Sequence, residues 1–113
     1  MLESLKFTSV SRRHGILVVG VAGSISTGTC DSLEEDLCGF LREADICLDL
    51  RDVDRFSSVG MGMFYRLGDM ADELGRRIFI LRPSLVVRRG LDASAVDSVF
   101  RFIDDEEDLA AYS

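Results

Sequence analysis

The chain has 113 residues, 47% of them apolar and 29% charged, the size and balance of one globular domain spanning residues 1–113. Its formal net charge of −7 sets it against nucleic acid and anionic membrane surfaces, which are bound through surplus Lys and Arg. Three cysteines with no C-x-x-C pair, and a single histidine, do not supply the four close ligands of a structural zinc site.

Cys30, Cys38 and Cys47 therefore read as free thiols of a reducing, cytoplasmic compartment. The N-terminus shows no basic start followed by a long apolar run, so no signal peptide is read there. The longest apolar stretches, such as residues 16–22, fall far short of the ~20 residues needed to cross a bilayer. The reading includes no metal, cofactor or direct membrane insertion.

Residues 5–11 alternate imperfectly and suggest a strand, followed by a turn at residues 12–15. Residues 16–22, ILVVGVA, are a β-branched run that suits a strand buried on both faces. The short connection makes the first two strands antiparallel neighbours. A polar loop is expected at residues 23–28, then a helix over residues 29–43 with Leu33, Leu37, Phe40, Leu41 and Ala44 on one face. Residues 46–50 read as a buried strand and residues 52–59 as a loop.

A second helix over residues 60–74 presents Met63, Leu67, Met70, Ala71 and Leu74 on one face and stops at Gly75, which suits a left-handed cap. Residues 77–81 are the next strand. Pro83 is placed at the first position of a third helix, with Leu85, Val86 and Leu91 for burial. Residues 99–103 form the last strand and residues 104–112 a closing helix whose acids favour its N-terminal end. The order is β-β-α-β-α-β-α-β-α: an α/β domain with a mostly parallel sheet, an antiparallel edge strand and helices packed against it.

The segment richest in chemistry is Phe56-Ser57-Ser58-Val59-Gly60-Met61-Gly62, entering the second helix. In the plainest reading Ser57 or Ser58 caps the helix, a contribution of ~1 kcal/mol, and the glycines allow close packing. Residues 23–28 offer G-x-x-x-x-G without the Lys-Ser/Thr of a P-loop. Ser58-Val59-Gly60 lacks the first glycine of a nucleophile elbow, and His14, in a turn, offers no evident general base. Neither phosphate binding nor serine hydrolysis is supported. The cluster Arg76, Arg77, Arg82, Arg88 and Arg89 reads as a solvated face or as a docking patch for an acidic partner.

Taken together, residues 16–23, Asp49-Leu50, residues 56–62, Arg82-Pro83-Ser84 and the closing Val99-Phe100 with residues 104–111 resemble a STAS domain. That family covers sulfate-transporter C-terminal domains and bacterial anti-sigma-factor antagonists. Its most specific form, Asp-Ser-Ser/Ala-Gly-aliphatic-Gly, is matched here by Ser58, Gly60, Met61 and Gly62. The resemblance implies a non-catalytic module that binds an anti-sigma factor which is also a serine protein kinase. Phosphorylation at Ser58, with Ser57 the second choice, would switch that binding off, and a phosphatase would be a further partner. The binding surface it implies comprises Ser26, Thr27, Ser57, Ser58, Gly60, Met61 and Gly62. Two positions depart from the family form: Ser57 stands where Asp precedes the phosphorylated serine, and Ser26 where the loop Gly-x-x-Asp has its acid. The alternative is an accessory subunit of an ABC-type membrane transport complex, with no turnover of phosphate on Ser58.

Overall fold

The computed structural model describes residues 4–94 and 100–112. Val99, expected in the last strand, lies outside the described residues. Strands β1 (Leu5–Arg13), β2 (Ile16–Ile25), β3 (Ile46–Phe56), β4 (Ile78–Leu81) and β5 (Phe100–Ile103) form one sheet in chain order. β1 and β2 pair antiparallel; β2, β3, β4 and β5 are parallel neighbours. Each parallel crossover therefore steps in the same direction, and right-handed crossovers of that kind put their helices on one face of the sheet. Those helices are α1 (Cys30–Glu43), α2 (Ser58–Leu74) and α3 (Leu85–Ser94).

Strand periodicity divides the core accordingly. Leu17, Val19 and Val21 of β2, Leu48 and Leu50 of β3, and Ile78 and Ile80 of β4 point to the helices. They meet Leu33, Leu37 and Leu41 of α1, Met63, Phe64, Leu67 and Ala71 of α2, and Val87 and Leu91 of α3. Ile16, Val18, Cys47, Phe79, Leu81 and Ile103 face the other way, against Leu109. Burial of side chains of this size stabilises by roughly 1.5–3 kcal/mol each, so the two-sided sheet is the main source of stability.

Several boundaries differ from the sequence expectation. β2 runs on to Ile25 and β3 to Phe56, pairing Ala22 with Asp52, Gly23 with Val53 and Ile25 with Phe56, where polar loops were expected. The ladder satisfies the backbone of this charged stretch while its polar side chains stay in solvent. α2 starts at Ser58, two residues before the expected start. Pro83 lies outside α3; Arg82 before it takes a positive φ of 42°, and the helix opens at Leu85. Leu85 and Val86 are exposed, at 65% and 37%, rather than buried, and Val87 takes the core position. Phe40 is half-buried and Leu74 exposed, so the apolar faces of α1 and α2 are narrower than expected. The closing helix is a 3-10 segment, Glu106–Tyr112, tied to the β1–β2 hairpin by Arg13 bonds to Glu106 and Glu107 (2.8 and 2.7 Å).

Gly75 behaves as expected. At φ 67° it ends α2 in the left-handed region, its own N–H bonding to Asp72 O and the Arg76 N–H to Ala71 O.

Candidate functional site

The two loops singled out in the sequence meet at the carboxyl ends of β2 and β3. The Ser57 N–H donates to Ile25 O (3.0 Å), continuing the β2–β3 ladder by one bond and fixing the start of α2 beside the Ser26–Thr29 turn. That turn closes on itself. Thr29 Oγ1 donates to Ser24 O (2.7 Å) and accepts from the Ser26 N–H (3.1 Å), while the Cys30 N–H bonds Ser26 O (2.9 Å). The Cys30 thiol donates to Val59 O (3.6 Å), joining the first turn of α1 to the first turn of α2.

Packing under the site is set by Phe56. Its ring meets Phe64 edge-on at 5.5 Å between centroids, and Phe64 meets Phe100 at 5.4 Å, so a row of aromatics ties the tip of β3 through α2 to β5. Gly60 and Gly90 close on this ring. A Cβ on Gly60 would sit 3.0 Å from Phe56 Cε1 and 2.8 Å from Ile25 Cγ2; one on Gly90 would sit 2.5 Å from Phe56 Cδ2. Real Cβ contacts do not come this close, so α2 and α3 reach the aromatic row only because these positions lack a side chain. Higher along α2, the Arg66 guanidinium grips both carboxylate oxygens of Glu34 on α1, with N–O distances from 2.6 to 3.1 Å. The hydrogen bonds from Arg66 outweigh burial and hold the Glu34 carboxyl below its ordinary range.

On this scaffold the expected site residues separate. Ser58 and Thr27 are exposed, and Met61 and Gly62 half-buried. Ser57 is the N-cap residue of α2, but its side chain makes no cap hydrogen bond; its Oγ is shielded and has no partner among the described residues. Ser26, at 4% exposure, and Gly60, at the Phe56 contact, are buried and shape the site from beneath rather than offer it surface. Sequence reading did not single out Val59 and Tyr65, which are 40% and 48% exposed beside Ser58 and Met61. Tyr65 stands one turn beyond Met61, an i, i+4 relation that could have been read from the spacing. The first turn of α2 holds no acidic residue, so its free N–H groups and positive end face the surface at Ser58 without a carboxylate from that turn.

The arrangement presents the Ser58 hydroxyl at a helix N-terminus, with Val59 and Tyr65 exposed on the same helix. The STAS domain profile matches residues 8–109, and the chain belongs to that family. Its fold is similar to that of an anti-sigma factor antagonist from Mycobacterium paratuberculosis, with a TM-score of 0.78 at 22% identity over 96% of this chain and 93% of that one. It is also similar to the anti-sigma factor antagonist SpoIIAA in its unphosphorylated form (TM-score 0.74, 15% identity, 96% of each chain). The Bacillus cell fate determinant SpoIIAA in the phosphorylated form aligns with a TM-score of 0.70 at 14% identity, over 97% of this chain and 100% of that one. No curated protein sequence matches the chain. Among the described residues, no helix is long and apolar enough to cross a membrane.

Proposed function

We propose that this protein is an anti-sigma-factor antagonist that binds an anti-sigma factor with serine kinase activity and is released when that kinase phosphorylates Ser58. It acts by binding, not catalysis, in the cytoplasm, and a phosphatase resets it. The observation that carries this reading is the exposure of Ser58 on the first turn of α2 beside a neighbour whose hydroxyl is shielded. A phosphate there adds roughly −1.5 to −2 charges at the positive end of a helix, so the domain tolerates it. A docked partner does not. Reversing a two-state population from 1:99 to 99:1 takes about 5.5 kcal/mol. An unmatched buried charge at an interface costs 2–5 kcal/mol or more, roughly the size required.

Thr27, Met61, Gly62, Val59 and Tyr65 form the partner surface around Ser58, and Ser26, Ser57 and Gly60 hold its shape. The test is incubation with the anti-sigma factor kinase of the same cell and ATP, followed by mapping of phosphate by mass spectrometry. Phosphate on Ser58, and weaker binding by Ser58→Asp than by Ser58→Ala, support the switch; equal affinities reject it.

The second reading, a subunit of an ABC-type transport complex, draws on Ser26 and Ser57 standing where acids are expected. It predicts binding that is indifferent to charge at residue 58 and co-purification with an ATPase subunit.

A further inference from the structure

Residues 75–91 hold five arginines and no Asp or Glu, in a chain whose net charge is −7. Two of the five lie at the start of β4. Arg76 donates to Leu41 O and Arg42 O (3.0 and 3.2 Å), and Arg77 to Asp45 and Tyr112 O (2.9 and 2.8 Å). Arg82, Arg88 and Arg89 lie at the opposite end of β4 and along α3, all exposed. Arg88 spreads over the Phe102 ring at 5.1 Å. Leu85, the most exposed large apolar residue described at 65%, lies three and four positions before Arg88 and Arg89. It therefore shares their helix face, and Val86, 37% exposed, borders it. Val87 and Leu91 turn inward at 0% exposure, so this outer face is not needed for the core. The first turn of α3 carries no acid of its own.

We infer that the outer face of α3 docks an acidic segment of the protein partner, with an apolar side chain of that segment seated on Leu85 and Val86 between Arg82, Arg88 and Arg89. This deepens the proposed function and rests on it only in taking the partner to be a protein. Charge complementarity selects the occupant. An acidic segment is repelled by the rest of this acidic surface and attracted here, which fixes where it lands. Nucleic acid fits less well, because its affinity comes from many phosphate contacts and three arginines supply few.

The probe is a fluorescent peptide of about a dozen residues, Glu and Asp with Leu every third or fourth position, with a counterpart carrying Lys for each acid. Anisotropy is expected to show the acidic peptide binding wild-type protein about tenfold or more tighter than the Lys peptide, with affinity falling as salt is raised. Arg82→Glu/Arg89→Glu should weaken it at least about tenfold, Arg82→Gln/Arg89→Gln by less, and Leu85→Ser by about threefold or more. These side chains are exposed, and circular dichroism checks that the variants stay folded. Ser58→Asp should leave peptide affinity unchanged, so loss of the phosphorylation switch and loss of the α3 site are separate results. Equal binding of the two peptides, no binding of either, or an acidic peptide indifferent to the arginine variants overturns the inference. So does uptake of the protein by phosphatidylglycerol vesicles through the same arginines without peptide binding.

Discussion

Ser57 and Ser58 are adjacent in the chain and opposite in environment: the Ser57 hydroxyl is shielded and without a partner among the described residues, and Ser58 is exposed. Their difference follows from where α2 starts. Ser57 spends its N–H on Ile25 at the end of the sheet and turns its side chain inward, and Ser58 opens the first helical turn. Of the two neighbours, only Ser58 is open to solvent.

Ser57→Ala tests this directly. Loss of a capping serine ordinarily costs about 1 kcal/mol, but here no cap bond exists to lose, and a shielded unpaired hydroxyl is itself unfavourable. Urea unfolding should show Ser57→Ala unchanged or more stable by up to about 1 kcal/mol. A loss of about 1 kcal/mol would mean that the hydroxyl is bonded in solution.

The three glycines around the start of α2 and in α3 should respond with different signs. Alanine at Gly60 must displace Ile25 and press on Phe56, alanine at Gly90 must displace Phe56, and each should cost about 1–3 kcal/mol despite the helix propensity it gains. At Gly62 the added methyl meets only Arg66 Nη1 at an ordinary 3.5 Å, so Gly62→Ala should stabilise by about 0.5–1 kcal/mol. Three stabilising changes would show that propensity alone, not contact with Phe56, decides the outcome.

The Glu34–Arg66 pair gives a pH dependence of known sign. Arg66 lowers the folded-state pKa of Glu34 from its ordinary 4.5, so the contribution is complete above that value and is lost as pH falls through the lowered one. The gap in Tm between wild type and Glu34→Gln should therefore be greatest above pH 4.5 and close in acid. Both side chains reach solvent, which keeps the gap small and shrinks it further in salt. A gap that widens in acid would contradict the pairing.

The thiols should react in order of exposure. Desolvation, followed by Glu106 and Asp49, pushes the Cys47 thiol up to about 12, and burial raises Cys30. Cys38 is the one cysteine that is not fully buried. Iodoacetamide on native protein should modify Cys38 first and slowly, with Cys30 and Cys47 reacting only on unfolding. Early labelling of Cys47 would show that the sheet face covered by Glu106–Tyr112 opens readily.

Much of this arrangement is legible in the residues, for identifiable reasons. The β-branched run at residues 16–22, the apolar spacing of α1 and α2, and Gly75 at a left-handed cap each signal their element locally. Residues 51–56 do not. Charged at Arg51, Asp52, Asp54 and Arg55, they form strand only because the far end of β2 is there to pair with them. Leu85 and Val86 look like core residues on spacing, yet the strained Arg82 and the exclusion of Pro83 turn the helix so that Val87 packs inward. At the site, the serine pair and the glycines were visible as a motif. Which serine faces solvent was not, because it depends on a helix start displaced by two residues. The role of Phe56 was hidden too, since its partners Gly60 and Gly90 are separated along the chain and joined only through the sheet.

The decisive measurement is the affinity of the anti-sigma factor kinase for the unmodified protein and for the same protein carrying phosphate on residue 58, titrated calorimetrically side by side. Phosphate should raise Kd at least about thirtyfold, the equivalent of about 2 kcal/mol, with thermal stability little changed. Matching affinities for the two forms, or phosphate that the kinase installs anywhere but Ser58, would contradict it.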